Sequence, residues 1–495
     1  MSLVIKMEKA SITKTTNSWN TINWAKVQRK VFKLQKRIFQ AVKSGNKVLA
    51  RKLQKLLFKS YYAKLLAIRQ VTKESSLTSL TKGGRRDVKG AEICAIKDRA
   101  MQALVKLALE PYWEAQFEET SYGFRPGRSV HDAIGRILQV IGNKPKYVLD
   151  ADIAEWFDKI NHDYLLSKVD CPSNIKKIIK QWLKSGVMDN GVFAETESTT
   201  SQKDVISPLL ANIALHGMMK EVRDNFPNSI TREGKAINNF QPTIIRYAHN
   251  FVIFHRDYEV IKQCKILIRK CLKKLGLEIE TEKTKICHSL NEIEINDQKV
   301  EPGFDFLGFN IRQYPVEKHH SGRHYYSGKK FGFKTIIKPS EKSIKNHYKK
   351  LRDTVDKYKK APQSRLIMEL NPIIRGWCNY NRVVCSGKIF SKIDHLLWCK
   401  LRAWTVNRTG KANKQKLSKY FSDGIHGKWT FQDGEYCLLK HDKIEMKRHV
   451  IVESDASPYD GNWTYWSNRK INYPETLTRV TELFKKEKVY VNSEK

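Results

Sequence analysis

Residues Ile244 to Phe254 read IIRYAHNFVIF, two short apolar runs facing each other across the polar tetrapeptide Tyr247-Ala248-His249-Asn250. Runs of this length joined by a tight polar break predict a β-hairpin. Standing alone, such a hairpin is ordinary core packing. Two upstream segments give it another meaning. In YVLDADIAEWFDKINH (Tyr147 to His162) an apolar strand ends in carboxylates. Asp150 and Asp152 lie two apart on it and so point to one face. In TTSQKDVISPLLANIALHGM (Thr199 to Met218) a polar loop leads into an apolar helix.

The chain around these segments is large and basic. Its 495 residues are 41% hydrophobic, enough for a globular protein of several domains. A net charge of +40 makes nucleic acid the leading class of partner, because cations on a polyanion gain from counterion release. The nine cysteines contain no C-x-x-C pair, which argues against a disulfide framework or a zinc knuckle. No stretch approaches a membrane span and no apolar signal-peptide core opens the chain, so the expectation is an intracellular protein of a bacterial cytoplasm or an organelle interior, without a membrane partner.

Upstream of the Asp strand, residues from Trp19 to about Val71 carry helical spacing with a break at Ser44-Gly45-Asn46. Between Lys26 and Lys89 the only acids are Glu74 and Asp87. A face of one sign, including Arg29, Lys33 and Arg37, predicts a polyanion-binding surface. In the loop SYGFRPGRSV (Ser121 to Val130), Arg125 and Arg128 sit beside glycines, a setting in which guanidinium and backbone approach a phosphate. Downstream, helices are predicted from Ser340 to about Arg408, with a start at Asn371-Pro372 and a core stripe of Phe390, Ile393, Leu397, Leu401 and Trp404. Residues 424 to 468 alternate aromatic and polar side chains, which predicts a small β-rich module, and Pro474 opens a charged helix.

The order of strand with Asp, loop and helix, then hairpin resembles a reverse transcriptase palm. More closely, KDRAMQAL, SYGFRPGRSVHDAI, VISPLLANIALHGM, GLEIETEKTKI, GFDFLGFNI and RGWCNYNRVV together resemble, in order, the reverse transcriptase/maturase proteins encoded in group II introns. The resemblance implies an α+β fold: a right-hand polymerase palm with reduced fingers, an α-helical thumb with domain X, and the C-terminal β-rich module. It divides the chain into basic N-terminal helices and truncated fingers (1–90), fingers and palm (91–335), thumb and domain X (336–422) and the C-terminal module with its terminal helix (423–495).

The same resemblance implies that Asp152 matches a metal-binding aspartate, Phe157 the aromatic that screens the sugar, and Gln202 the survivor of a Pro-Gln-Gly-Gly loop that here reads Ser201-Gln202-Lys203-Asp204. Where the family reads Tyr-Ala-Asp-Asp, this chain has Tyr247, Ala248, His249 and Asn250. Imidazole and amide bring no charge to a site that must hold two Mg²⁺ ions. Asp150, Asp152, Phe157, Gln202, Tyr247, His249 and Asn250 are therefore expected to be a vestigial site, with residual Asp152 as the one family ligand, no metal and no cofactor. Mg²⁺ returns only if polymerase activity survives.

For the thumb, the resemblance implies RNA contacts at Arg375, Trp377, Asn379, Tyr380, Arg382, Lys388, Lys392, Arg402 and Arg408. Relatives continue into an HNH endonuclease; here the sequence stops at Lys495, so no metal-dependent DNA cleavage is expected. The expected function is that of a maturase binding group II intron RNA, with weak DNA contact and dimerisation left open. The alternatives are an active RNA-directed DNA polymerase of a mobile intron and a general RNA chaperone.

Overall fold

The computed structural model describes residues 19, 21–79, 91–154, 159–184, 205–232, 235–317, 328, 330–410, 414–424 and 427–472. Helix α1 (Trp24–Lys43) begins where the Asn23 side chain accepts the Lys26 N–H at 3.0 Å. It buries Val27, Val31 and Ile38 and ends in the expected break, with Gly45 at φ +77 and Asn46 capping α2 (Lys47–Lys59). A second break at Ser60, in extended conformation, separates α3 (Tyr61–Ser79). The periodicity hid it, because the apolar stripe continues across one extended residue. Helix α4 (Ala91–Glu114) packs across all three, and the buried Gln35 side chain donates to its Leu107 carbonyl.

A capping box between Ser129 and Asp132 opens α5 (Val130–Ile141), and β1 (Tyr147–Asp152) follows. Helices α6 (His162–Lys168), α7 (Ser173–Lys184), α8 (Ser207–Leu215) and α9 (Met218–Asp224) lead to the small hairpin of β2 (Ser229–Arg232) and β3 (Lys235–Asn238). The decisive hairpin is β4 (Thr243–Tyr247) and β5 (Asn250–His255), followed by α10 (Tyr258–Lys274) and β6 (Lys285–His288). These strands form an antiparallel sheet in the order β4-β5-β1-β6, with Asp150 opposite Val252 and Asp152 opposite Asn250.

Both faces of the sheet are covered, so its strands read as apolar runs. Leu149, Ala151, Phe251 and Ile253 join one core that extends into α1–α4. Val148, Ile245, Val252 and Phe254 join a second, shared with α5 and with a later sheet. After β7 (Ile293–Ile295) and β8 (Gln298–Val300), that sheet is made by β9 (Phe304–Phe306), β10 (Phe309–Pro315) and β11 (Phe333–Pro339).

Helices α11 (Glu341–Lys357), α12 (Gln363–Asn381) and α13 (Gly387–Thr409) build the thumb core on Leu351, Leu366, Ile374 and the predicted stripe of α13. Asn371-Pro372 is not a helix start: both lie inside α12. The Asn371 side chain instead donates to the Cys437 carbonyl and accepts the Leu439 N–H at 2.9 Å each, a tertiary use that outweighs its capping preference. After α14 (Lys414–Leu417), strands β12 (Phe421–Gly424), β13 (Gly427–Asp433) and β14 (Tyr436–Cys437) place Phe421 and Phe431 in the same core.

Beyond β14 the alternation of aromatic and polar residues forms no further strand among the described residues. After a 3-10 turn at His441–Lys443 the chain runs irregularly into α15 (Trp463–Asn472). Its aromatic side chains are distributed among other bodies: Trp466 enters the second core, and Tyr459 stacks on Phe32 of α1 at 5.9 Å. The helix expected after Pro474 lies outside the described residues.

This return segment is fixed at Asp132. Its buried carboxylate accepts the Val452 N–H at 2.8 Å, His449 Nε2 at 2.9 Å and Arg469 Nη2. Burial disfavours the charge, yet the hydrogen bond from His449 and the Arg469 guanidinium hold the carboxyl well below the usual range. Removing one partner of a buried ionic cluster strands the others. Asp132→Ala is therefore expected to lose about 3–5 kcal/mol in urea unfolding, with Asp132→Asn losing less.

Candidate active site and nucleic-acid interface

The β4–β5 turn is Ala248-His249, with Tyr247 paired to Asn250 and Ala248 at φ +57. A left-handed alanine costs about 1–2 kcal/mol, so the surroundings must enforce it. They do so through Arg246, which is fully buried. Its Nη1 donates to Asn212 Oδ1 of α8 at 3.0 Å and to the Ala248 carbonyl at 3.1 Å. Asn212 Nδ2 in turn donates to the Gly123 carbonyl at 2.8 Å. Gly123 lies so close beneath the turn that a Cβ there would stand 2.3 Å from the Ala248 nitrogen. Burial lowers the Arg246 guanidinium to about 10, so it stays charged at neutral pH.

The two carboxylates of β1 are in different states, and Asp152 is the one beside the turn. Asp152 has Lys283 Nζ 3.5 Å from Oδ2 and His249 Nε2 3.6 Å from Oδ1. Burial keeps His249 below its usual pKa against the pull of Asp152, so at neutral pH the imidazole is uncharged and the contact is no ion pair. Lys283 also donates to Glu280 at 2.9 Å, and that bond raises its pKa. Asp150 is pushed up to about 7 by burial and then by the charges of Asp152 and Asp305.

The donor set does not fit a pair of Mg²⁺ ions. The hairpin contributes an imidazole and an amide, and Asp152 is shared with an ammonium group. Among the described residues no group of three or more His, Cys, Asp or Glu side chains is arranged to hold a metal. Phe157 and Gln202 lie outside the described residues.

The expected RNA contacts separate into two groups. Arg29, Lys33 and Arg37 are exposed along one face of α1, and Arg375, Lys388, Lys392 and Arg402 are exposed on α12 and α13. Asn379 and Arg382 are half-buried. Arg408 is exposed, but it donates to the Lys359 and Ala361 carbonyls and lies 3.9 Å over Trp404.

Four others are corrected. Arg125 is buried in a bidentate pair with Glu114 and also donates to the Glu118 and Ser121 carbonyls. Arg128 is buried and donates to the carbonyls of Glu119 and Ser454. Neither faces a phosphate; both hold the loop that supports the hairpin. Trp377 stacks on His347 of α11 at 4.3 Å within the thumb, whereas Tyr380 stacks on Phe309 of β10 and donates to the Leu307 carbonyl, joining thumb to the neighbouring sheet.

Sequence reasoning missed Arg246, Gly123 and Lys283 as parts of the site. Lys283 carried a signal only as one residue of the GLEIETEKTKI block.

The palm sheet with its Asp strand and two-residue hairpin, the flanking helices and the helical thumb define a right-hand polymerase fold of the reverse transcriptase class. Three family descriptions match in order: "N-terminal domain of reverse transcriptase" over residues 19–82, "Reverse transcriptase (RNA-dependent DNA polymerase)" over 80–311, and "Group II intron, maturase-specific domain" over 344–421. The chain belongs to the group II intron-encoded reverse transcriptase/maturase family.

It is 31% identical over 249 residues to Protein YkfC of Escherichia coli (strain K12), covering 44% of this chain and 62% of that protein. To the group II intron-encoded protein LtrA of Lactococcus lactis subsp. cremoris it is 28% identical over 290 residues, 47% of this chain and 46% of that one. With Maturase-like protein 1 of Euglena gracilis it shares 27% over 330 residues, 58% and 64% respectively. The match thus spans less than two thirds of each relative. No described helix is long and apolar enough to cross a membrane.

Asp150 supplies a pH test. A carboxyl whose pKa rises from its usual value to about 7 on folding binds a proton more tightly in the native state. Stability therefore falls as pH rises from about 4 towards 7 and stays reduced above. Asp150→Asn removes that dependence, so chemical denaturation should show a gain of about 1–3 kcal/mol at pH 8 and little or none at pH 4.

Proposed function

We propose that this protein is a maturase: it binds group II intron RNA, stabilises the RNA's active fold and leaves the transesterification to the RNA, while its palm serves as scaffold without polymerising. The observation that carries this reading is the environment of Asp152, where an ammonium group and a neutral imidazole stand in place of facing carboxylates. Polymerisation needs its negative ligands to neutralise two closely spaced dications. Binding folded RNA needs only cations on a fixed frame, and the exposed faces of α1, α12 and α13 offer them.

Energetically, a protein that binds the active RNA fold more tightly than competing folds shifts the population by that difference in affinity. Lys283, Asp152 and Glu280 hold one another, so the old site is an ion-paired surface. Persistence of Asp152 is the feature that favours the competing reading, an active reverse transcriptase.

Primer extension on the purified protein, with Mg²⁺ and then Mn²⁺, is expected to give no template-dependent product. A product abolished by Asp152→Ala would sink the proposal. In binding assays, the intron RNA should outcompete unrelated structured RNA at matched salt; equal affinities would point to a general chaperone. The triple variant Arg29→Ala, Lys33→Ala, Arg37→Ala should reduce the slope of log K against log salt by roughly one for each phosphate that is no longer neutralised.

A further inference from the structure

Trp429 stands on β13 at φ +54, a conformation that a bulky side chain rarely adopts. Its strand pairs Phe421 with Phe431 and Ser422 with Thr430, then shifts register before Gly424 meets Gly427. Such an irregularity re-aims the side chain it carries. Here the Trp429 indole is 37% exposed, and its backbone N–H donates to Asp423 Oδ1 at 3.3 Å. Its ring lies 6.4 Å from that of buried Phe421, so the side chain is packed in part and open in part.

A second tryptophan meets it from the thumb. Trp398 of α13 is 38% exposed. Together with Trp429, Arg402, Lys414 and Leu417 it lines a cleft of about 650 Å³. Arg402 follows Trp398 by one helical turn, with its guanidinium 6.0 Å from the indole ring. No carboxylate pairs with Arg402 or Lys414 among the described residues. Exposed Lys388, Lys392 and His395 continue the same face of α13 up to the cleft.

Aromatic faces beside unpaired cations are the elements of a single-strand site, where bases stack and phosphates are neutralised. A duplex hides its base faces and gains nothing from the two indoles. An acidic peptide would use the cations and leave the indoles idle.

We propose that the cleft between α13 and β13 binds an unpaired nucleotide of an RNA strand, with its base on Trp398 and Trp429 and its phosphates on Arg402 and Lys414. This deepens the maturase reading and rests on it. The cleft takes a loop or bulge nucleotide of the folded RNA, while the basic faces hold its helices.

The test uses the full chain with three fluorescent probes: a short oligoadenylate, an abasic strand of the same length and an RNA duplex. Anisotropy is measured over a range of salt. Trp398→Ala or Trp429→Gly should weaken oligoadenylate binding about 5- to 100-fold with the salt slope unchanged, and should leave abasic and duplex binding as they were. Arg402→Ala should instead lower the salt slope by about one on both single strands.

Trp429→Gly relieves the strained φ, so its weaker binding should come with undiminished thermal stability, and Trp398→Phe should restore most of the affinity. An unchanged oligoadenylate affinity in both tryptophan variants, or an equal loss on the abasic strand, overturns the proposal. If the wild type binds intron RNA without any dependence on the tryptophans, this site alone falls, and the cleft is left to a protein partner. If it binds no RNA, the maturase reading falls with it.

Discussion

The palm depends on one buried cation. Arg246 sits at the end of β4 with no access to water, and its guanidinium joins α8 to the turn through Asn212 and the Ala248 carbonyl. Burying such a group is costly unless its surroundings compensate, and Glu118 supplies the nearby negative charge. Glu118 is itself fixed by His216 Nδ1 at 3.0 Å. The loop of Gly123, the hairpin and α8 are therefore coupled: a change in one forces the others to move. This explains why the turn holds a two-residue geometry with a left-handed alanine.

A division of charge runs through the molecule. Buried cations such as Arg125, Arg128, Arg246 and Arg469 have carboxylate or carbonyl partners and hold elements together. Exposed cations on α1 and α13 have few such partners and leave the surface strongly positive. The +40 net charge is the excess of 91 Lys and Arg over 51 Asp and Glu, and carbonyl partners leave it unneutralised. Self-repulsion of that excess disfavours the compact state, and a bound polyanion relieves it.

How much of this the amino-acid sequence discloses depends on the range of the interaction. The hairpin, the Asp strand, the Ser44-Gly45-Asn46 break and the core stripe of α13 are set by local periodicity, and each is legible. Arg125 and Arg128 mislead because an arginine beside glycine looks the same whether it meets a phosphate or a carbonyl 326 residues away, as Arg128 does at Ser454. Asn371-Pro372 carries a true capping preference that two hydrogen bonds to the β14 region override. The Trp398–Trp429 cleft joins a helix and a strand whose register irregularity has no local signature. Lys283 reaches Asp152 only because β6 lies beside β1.

The return segment from His449 to Arg469 has a consequence for how the protein is made. Trp466 completes the core beneath the palm sheet, Tyr459 closes on α1, and Arg469 completes the cluster at Asp132. Chains are synthesised from the N-terminus, and domains fold as they emerge. The first helix and the palm must therefore wait, with apolar surface exposed, for nearly the last described residues to leave the ribosome. Translation time thus sets the interval in which this cationic chain is unfinished.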